Sequence, residues 1–349
     1  MVGMSGGVDS SVSAALLKDQ GYDVIGMMLR LWSDTDTENR CCAPDALQEA
    51  RYIAGLLDIP FYVIDAQDQF FQAVVTPFID GYAQGNTPNP CLNCNRFVRW
   101  DFLLERANSM GAEYLATGHY ARIQKSSSGS YQLYKNMDAG KDQTYFLHVL
   151  TQNNLSQTIF PLAELTKKQV RKLANEYSLP VADRPDSQDL CFVGQGDYRD
   201  FLRKSSPAIM KPGPILDRDG NLIGNHQGLA EFTIGQRKGL RISSTEPYYV
   251  IRKDLSQNAL IIGIRNDLGQ QEFYADHVNW ISGESPKKPI TANVKIRYKS
   301  NEVAAAITMI DPGSALIKLE SPLPDITPGQ AAVFYQDDLC LGGGIIRSN

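Results

Sequence analysis

The sequence predicts an α/β protein in which an N-terminal domain with a parallel β-sheet precedes two small domains made mainly of β-strands. Three observations predict this fold class: a glycine and serine loop opens a helix almost at the first residue, strands and helices alternate over the first half of the chain, and glycine-containing turns separate short apolar runs beyond about residue 204. The predicted domains comprise residues 1–203, 204–268 and 269–349.

The length and composition suit an enzyme with more than one domain. The chain has 349 residues, of which 43% are hydrophobic, and these can fill a core in each domain. Neither an apolar run of the ~20 residues that span a bilayer nor a secretory leader is present, so we expect a cytoplasmic protein that does not bind membranes. In a reducing compartment, six cysteines favour metal ligation or redox chemistry over structural disulfides.

The alternation in the first half predicts a parallel sheet with helical crossovers. The predicted strands are 22–31, 60–64 and 114–117, and the predicted helices are 44–57, 70–82 and 96–110. Ligands of such sheets bind beyond the carboxyl ends of the strands. We therefore expect the loop at residues 4–10, the segment 29–32 and the turn 117–120 to converge there.

The pattern changes after residue 120. Residues 120–124 and 131–135 flank a serine turn and predict a hairpin, and residues 141–150 and 166–177 predict helices. The second of these helices begins with a capping box formed by Thr166 and Gln169. The glycine-rich turns that follow predict small antiparallel sheets or a barrel.

The strongest chemical signal is the loop Met4-Ser5-Gly6-Gly7-Val8-Asp9-Ser10. Its glycines let several backbone N–H groups approach one anion, and the helix that begins near Val8 adds its positive end. No Gly-Lys-Ser/Thr follows, so the motif supplies no lysine for a γ-phosphate. The loop therefore indicates release of pyrophosphate and formation of an adenylate, with Mg²⁺ beside Asp9. The alternative is an ordinary glycine-rich turn that caps a helix.

Cysteines carry the second chemical signal. Cys91 and Cys94 lie in a proline-stiffened loop, residues 84–95, and Cys191 lies in the polar segment 186–192. A helix N-terminus, together with the charges of Arg96 and Arg99, would favour the thiolate form of Cys94. Two activated sulfur atoms in one site would let one carry a persulfide and the other release its sulfur by forming a disulfide.

Other interpretations of the cysteines remain open. Structural zinc held by Cys91 and Cys94 together with Cys41 and Cys42 is one alternative, although this spacing matches no standard finger. Cys340 lies in an apolar run and is expected to pack in a core.

The charge is unevenly distributed along the chain. The formal net charge is −5, yet residues 235–300 carry eleven Lys and Arg against six Asp and Glu, a net of +5. We expect Arg237, Lys238, Arg241 and residues 295–299 to contact the phosphates of a nucleic acid. The alternative is a solvated β-sheet surface.

Seven sequence blocks together resemble the tRNA-specific 2-thiouridylase family, within the adenylating PP-loop ATP pyrophosphatases. The similarity runs through the chain in order, and the cysteine and C-terminal blocks distinguish this family from the wider class. The blocks are Ser5 to Ser10, Cys94-Asn95 after Asn-Thr-Pro-Asn-Pro, residues 116–120, 141–147 and 186–192, Phe232 to Gly239, and Thr327 to Gln330 with residues 341–345.

The resemblance implies conversion of the wobble uridine in the anticodon stem-loop of certain tRNAs to 2-thiouridine, with ATP consumed to AMP and pyrophosphate. By position in the motifs, Cys191 resembles the persulfide carrier and Cys94 the nucleophile that closes a transient disulfide with it. Positions similar to those that bind ATP are Gly3, Met4, Ser5, Gly6, Gly7, Val8, Asp9, Ser10, Leu29 and Gly118. Positions similar to those that bind tRNA are Asn89, Pro90 and Cys91, near the target base, and His119, Lys141, Asp142, Gln143, Arg297, Tyr298 and Gln330.

The resemblance also implies partners and leaves alternatives. A persulfide donor, such as a cysteine desulfurase or a sulfur carrier, would load Cys191. Cys91 is Asp in some relatives, and with Cys94 and Cys191 it could instead hold a [4Fe–4S] cluster that binds sulfide. Another adenylating enzyme, such as an amide-forming synthetase or a lysidine-type ligase, would share the loop without needing the cysteines. Each proposed tRNA contact could also be an ordinary structural or surface residue.

Overall fold

The structure is a computed structural model that describes residues 1–32, 44–185, 190–193 and 196–348. Two expectations fall outside these ranges: the alternative zinc ligands Cys41 and Cys42, and residues 186–189 of the polar segment before Cys191.

A parallel sheet forms the centre of the N-terminal domain, as predicted. Its strand order is β3-β2-β1-β4-β7, and every neighbouring pair is parallel. A separate hairpin, β5-β6, leaves this sheet after β4. The strands are β1 (Val2–Gly3), β2 (Gly26–Arg30), β3 (Phe61–Asp65), β4 (Leu115–Thr117), β5 (Arg122–Lys125), β6 (Tyr131–Tyr134) and β7 (Thr158–Ile159).

Helices cover this sheet and connect its strands. Two π-helical segments, Phe71–Val75 and Cys94–Leu103, join neighbouring α-helical pieces into longer helices. The α-helices are α1 (Val8–Asp19), α2 (Pro44–Leu56), α3 (Gln67–Phe70), α4 (Thr76–Ala83), α5 (Pro90–Asn93), α6 (Leu104–Ser109), α7 (Thr144–Leu147), α8 (Gln152–Ser156), α9 (Lys167–Glu176) and α10 (Tyr198–Ser205).

Two predicted helices differ from the structure, the predicted strand 22–31 begins only at Gly26, and one cap is confirmed. The helix expected from Arg96 begins at Pro90, because Pro90 suits the first helical position and the Asn89 side chain accepts the Cys91 N–H. Residues 141–150 contain only the four-residue α7 rather than a full helix. The capping box of α9 is present, with Thr166 and Gln169 side chains satisfying each other's backbone N–H groups.

The middle of the chain forms a small sheet with the order β10-β11-β8-β9. Apolar side chains from the sheet and its loops, including Ile215, Phe232, Val250 and Leu260, pack into a core of their own. The strands are β8 (Gly213–Leu216), β9 (Leu222–His226), β10 (Tyr249–Asp254) and β11 (Ala259–Gly263).

The C-terminal strands close into a barrel. The order β12-β15-β14-β13-β16-β17 is completed by pairing of β17 with β12. Large side chains such as Phe273, Val294 and Phe334 fill the interior. The strands are β12 (Gln270–Trp280), β13 (Ile290–Lys295), β14 (Val303–Asp311), β15 (Ser314–Leu323), β16 (Ala331–Gln336) and β17 (Leu339–Ile346).

The hairpin β5-β6 joins the N-terminal domain to this barrel. Strand β6 pairs with β17, so that Leu133 lies opposite Cys340. Both residues are buried in a core cluster that also includes Trp100 and Tyr335. Burial raises the pKa of the Cys340 thiol well above its usual range, which keeps it protonated and inert. The structure therefore places Cys340 in a core.

Candidate nucleotide and thiol site

The glycine and serine loop connects the carboxyl end of β1 to the start of α1. Gly6 has a φ of 71°, and a Cβ atom there would lie 2.5 Å from the Ala46 carbonyl oxygen, so only glycine fits. The Ser10 hydroxyl accepts the Ser5 N–H at 3.1 Å and donates to the Gly7 carbonyl at 3.1 Å. These bonds fix the loop in a tight turn around the helix N-terminus, the geometry that binds an anion.

The carboxylate of Asp9 has partners from two distant segments. Lys167 Nζ lies 2.8 Å from each Asp9 oxygen, and the Tyr120 hydroxyl donates to Asp9 Oδ1 at 2.7 Å. Sequence reasoning missed Lys167. The capping box located it as the first residue of α9, but nothing in the sequence related that position to residue 9.

Gly118 packs directly against the first turn of α1. A Cβ atom at this position would lie 2.8 Å from both the Asp9 carbonyl carbon and the Ser10 nitrogen. The turn after β4 can therefore approach the phosphate loop only because residue 118 has no side chain. The structure thus brings together the 4–10 loop and the 117–120 turn, at the carboxyl ends of adjacent strands.

An apolar cluster that holds two cysteines adjoins this edge of the sheet. Cys94 is buried in the cluster, Cys191 packs against it half-buried, and Phe192 is part of its core. Leu29, on β2 beside the phosphate loop strand, packs against the same cluster. Two cysteines that are far apart in sequence thus share one environment next to the expected nucleotide position.

The surroundings of Cys94 differ from the sequence-based expectation. The helix begins at Pro90, so Cys94 is in its second turn and the exposed Cys91 is in the first. The Arg96 guanidinium donates to the Val149 carbonyl oxygen at 2.6 Å and is held there. The expected placement of Cys94 at the very start of the helix is therefore wrong, because Asn89 takes the capping position.

The three cysteines of the loop and of the polar segment are also predicted as alternative metal ligands. In the ranges that the structure describes, which include Cys91, Cys94 and Cys191, no three Cys, His, Asp or Glu residues are grouped as metal ligands. A [4Fe–4S] cluster would need three thiols that face one point, and the cluster alternative stays a prediction.

The segment before α5 is clamped by the C-terminal barrel. The Thr87 N–H donates to the Pro328 carbonyl at 2.8 Å, and Gln330 Nε2 donates to the Thr87 carbonyl at 2.7 Å. Gly329 has a φ of 89° and lies so close that a Cβ atom would be 3.0 Å from the Thr87 carbonyl carbon. Gln330, a predicted tRNA contact, thus orients the backbone that leads to Asn89, Pro90 and the cysteines.

His119 is held in an aromatic pocket. Its Nδ1 lies 2.7 Å from Thr117 Oγ1, and its ring packs against Trp100 and Phe160. Burial, and secondarily the charge of Arg99, lowers the pKa of His119 well below its usual range. His119 is therefore neutral at physiological pH, and a contact with tRNA would be a hydrogen bond or stacking rather than an ion pair.

The segment 141–143 has mainly internal contacts. The buried Asp142 carboxylate accepts the N–H groups of Asn136 and Thr144, and desolvation raises the pKa of this carboxyl. Gln143 exchanges hydrogen bonds with Tyr120 through its N–H and its side-chain oxygen. Lys141 is half-buried. The structure supplies an internal role for Asp142 and Gln143, and their contact with tRNA stays a prediction.

Arg297 and Tyr298 lie where the barrel meets the other domains. The Arg297 guanidinium donates to the Ile234 carbonyl at 3.1 Å and forms an ion pair with Asp325 at 3.3 Å. The ring of Tyr298 packs against Phe146, with 4.6 Å between centroids. Both residues thus join domains, and their contact with tRNA also stays a prediction.

The fold and the site together define a class of protein. A parallel sheet whose first strand leads into a phosphate-binding Ser-Gly-Gly loop is typical of the PP-loop nucleotide-binding domains, here followed by two β domains. Family models match all three parts: a tRNA methyl transferase HUP domain over residues 1–195, a tRNA methyl transferase PRC-barrel domain over 199–264, and an aminomethyltransferase beta-barrel domain over 270–346.

Similar proteins match the chain over nearly its whole length. Relatives named tRNA-specific 2-thiouridylase MnmA include one from Moorella thermoacetica, 47% identical over 100% of this chain and 99% of its own length. Another, from Natranaerobius thermophilus, is 45% identical over 99% of this chain and 96% of its own. The chain therefore belongs to the tRNA-specific 2-thiouridylase family. The described part of the chain contains no helix both long enough and apolar enough to span a bilayer.

Proposed function

We propose that this protein converts the wobble uridine of tRNA to 2-thiouridine in an ATP-dependent reaction. The observation that carries the proposal is the location of Cys94 and Cys191 in one apolar cluster, against the strand beside the phosphate loop. Family membership supports the substrate, because the relatives are named for tRNA-specific 2-thiouridylation. A site that only adenylated its substrate would have no use for two thiols in the same cluster.

The phosphate loop serves the first step. Backbone N–H groups at the start of α1 bind the phosphates of ATP, and the Asp9 carboxylate suits the Mg²⁺ that accompanies them, since Mg²⁺ prefers oxygen ligands. Mg²⁺ would offset the negative charge of the phosphates. Leu29 and Gly118 line the adjacent strand ends, where the adenosine would lie.

The adenylation step makes the uracil oxygen a leaving group. The O2 atom of uridine attacks the α-phosphorus of ATP, and the bond between the α- and β-phosphates breaks with its electron pair remaining on pyrophosphate. A carbonyl oxygen alone departs poorly, whereas departure as AMP is easy. The preformed loop stabilises the charge that develops on the phosphates.

Sulfur transfer follows at the cysteine cluster. Cys191 carries a persulfide, supplied by a cysteine desulfurase or a sulfur carrier, and its terminal sulfur attacks C2 of the uracil while AMP leaves. The Cys94 thiolate then attacks Sγ of Cys191, and the electron pair of the broken S–S bond stays on the new thiocarbonyl sulfur. The products are 2-thiouridine and a Cys94–Cys191 disulfide, which a cellular thiol reduces.

Asn89, Pro90 and Cys91 lie beside this chemistry on the segment clamped by the barrel. We propose that this segment receives the target base, while His119, Lys141 and Tyr298 contact the surrounding tRNA. The half-buried ring of Tyr298 offers a face for stacking, which is how proteins commonly hold unpaired bases.

Cysteine variants test the proposal in a reconstituted assay with tRNA, ATP and a persulfide donor. We expect Cys94→Ser and Cys191→Ser to abolish 2-thiouridine, detected by mass spectrometry of nucleosides. Both variants should still release pyrophosphate in the presence of tRNA, because adenylation precedes sulfur transfer. Cys340→Ala is the control, since it removes a buried thiol that the mechanism does not use.

Retention of full thiolation by Cys191→Ser would reject sulfur transfer through this thiol. Modification of tRNA without added sulfur would instead indicate an amide-forming or lysidine-type reaction. Loss of thiolation in Cys91→Ser, accompanied by iron in the anaerobically purified protein, would favour the cluster alternative.

A further inference from the structure

A lysine remote in sequence lies against the phosphate loop, whose own motif contains no lysine. Lys167 Nζ lies 2.8 Å from both carboxylate oxygens of Asp9, in the first turn of α1. The lysine side chain is only 12% exposed. A P-loop carries its phosphate-binding lysine within the loop motif, whereas here the ammonium comes from the first residue of α9.

Several contacts position the start of α9 and the Asp9 carboxylate that Lys167 contacts. The backbone N–H of Lys167 donates to Asp138 Oδ2 at 3.0 Å, and the capping box immediately before it fixes the start of α9. Helix α9 packs on α1 through a shared core that contains Val12 and Val170. The Tyr120 hydroxyl holds the same Asp9 carboxylate from the other side. A side chain that is already paired in this position loses less conformational entropy when it binds a ligand than a free lysine would.

We propose that Lys167 binds the phosphates of ATP and stabilises the pyrophosphate that departs during adenylation. This inference rests on the proposed function, because it assigns a role within its first step. In the resting protein the ammonium balances the Asp9 carboxylate, which would otherwise repel a triphosphate. The Asp9 carboxylate would also suit the Mg²⁺ that accompanies ATP, and the ammonium beside it would donate to phosphate oxygens.

The step balances without a proton transfer. The uracil O2 atom forms a bond to the α-phosphorus, and the electron pair of the broken phosphoanhydride bond accumulates on a β-phosphate oxygen. An ammonium group has three hydrogen-bond donors and no acceptor, so Lys167 can retain Asp9 and also donate to that oxygen. Its contribution grows as charge moves onto pyrophosphate, which is the condition for accelerating the step.

A purely structural ion pair is the competing explanation, in which Lys167 only fastens α9 to α1. The two roles differ in what they do to nucleotides. If the role is structural, loss of the lysine weakens the binding of all ligands of the loop alike and lowers the thermal stability of the protein. If the lysine binds phosphate, its loss weakens the binding of ATP more than that of AMP, because AMP lacks the β- and γ-phosphates.

The experiment measures equilibrium binding of a non-hydrolysable ATP analogue and of AMP, each with Mg²⁺, to the full chain. The variants are Lys167→Met, Lys167→Arg and the matched control Lys168→Met, whose side chain is exposed. We expect Lys167→Met to weaken the analogue about 10- to 100-fold, as for loss of a charge-assisted hydrogen bond. AMP should change less than about threefold, Lys167→Arg should recover part of the affinity, and the control should resemble the wild type.

Two outcomes overturn the inference. Binding of the analogue by Lys167→Met with wild-type affinity would show that the lysine does not contact the phosphates. Equal weakening of the analogue and of AMP, together with a lower thermal midpoint, would assign it a structural role. Failure of the proposed function gives a different result. In that case the wild-type protein would bind the analogue without thiolating tRNA, and Lys167→Met would still weaken the binding of the analogue.

Discussion

Replacement of Gly118 by alanine tests whether the close approach of two segments creates the nucleotide site. The new Cβ would lie 2.8 Å from the Asp9 carbonyl carbon and from the Ser10 nitrogen. Ordinary contact needs ~3.5 Å, so the first turn of α1 and the 117–120 turn must separate by roughly 0.7 Å. Both obstructing atoms belong to the backbone, and therefore no side-chain rotation relieves the overlap.

Two effects of Gly118→Ala follow from this shift. Overpacking should lower the free energy of unfolding by about 1–3 kcal/mol. Movement of the N–H groups that bind phosphate should weaken an ATP analogue about tenfold, which corresponds to ~1.4 kcal/mol of binding free energy. The effect on the analogue should persist at temperatures where the variant is fully folded.

Urea unfolding and titration calorimetry with a non-hydrolysable ATP analogue measure the two quantities. Gly55→Ala is the control, because this glycine is in α2 and a Cβ atom there meets nothing within 4 Å. That variant should be as stable as the wild type or slightly more stable. If Gly118→Ala unfolds and binds the analogue as the wild type does, the tight packing of this turn on the loop is not what forms the site.

Three further predictions concern other parts of the molecule. Gln330→Leu removes the hydrogen bond to the clamped segment, so alkylation of Cys94 by iodoacetamide should accelerate several-fold in a time course followed by mass spectrometry. Neutralising Arg237 and Lys238 should reduce the slope of log affinity for tRNA against log salt concentration by about one to two. An unchanged slope would mean that these residues belong to an ordinary solvated surface. Burial lowers the pKa of His148 to about 4, so it stays neutral in the folded protein while the unfolded chain takes up a proton below about 6.5. The free energy of unfolding should therefore fall by about 3 kcal/mol as the pH drops from 6.5 to 4. In a His148→Asn variant, urea unfolding should show a correspondingly smaller fall of this free energy over the same pH range.

The fold class and the phosphate loop were predictable because their determinants are local. Glycines before a helix, strand and helix periodicity, and a Thr-x-x-Gln box each act within a few residues. The capping box of α9 was confirmed for this reason. The helix begins at Pro90 rather than at the predicted Arg96, because the Asn89 side chain caps it and Pro90 suits its first position, within a stretch whose prolines otherwise indicate a loop.

The partners of the site residues could not be predicted from local patterns. The pairing of Lys167 with Asp9 depends on how α9 packs against α1, and no spacing along the chain encodes that contact. Gln330 resembles a tRNA-binding position, but its hydrogen bond to Thr87 depends on how the barrel docks. Such contacts need the tertiary arrangement, since residues far apart in sequence meet only after the chain has folded.

The pairing of β6 with β17 has a consequence for biosynthesis. Ribosomes extend a chain from its N-terminus, so Leu133 and its hairpin emerge long before the strand around Cys340 that completes their sheet. Until then one hydrogen-bonding edge of the hairpin faces solvent, and such edges recruit other chains. A nascent polypeptide is thus exposed to aggregation through most of its synthesis, and a product truncated before the barrel would keep that edge open and be a natural target for chaperones and proteases.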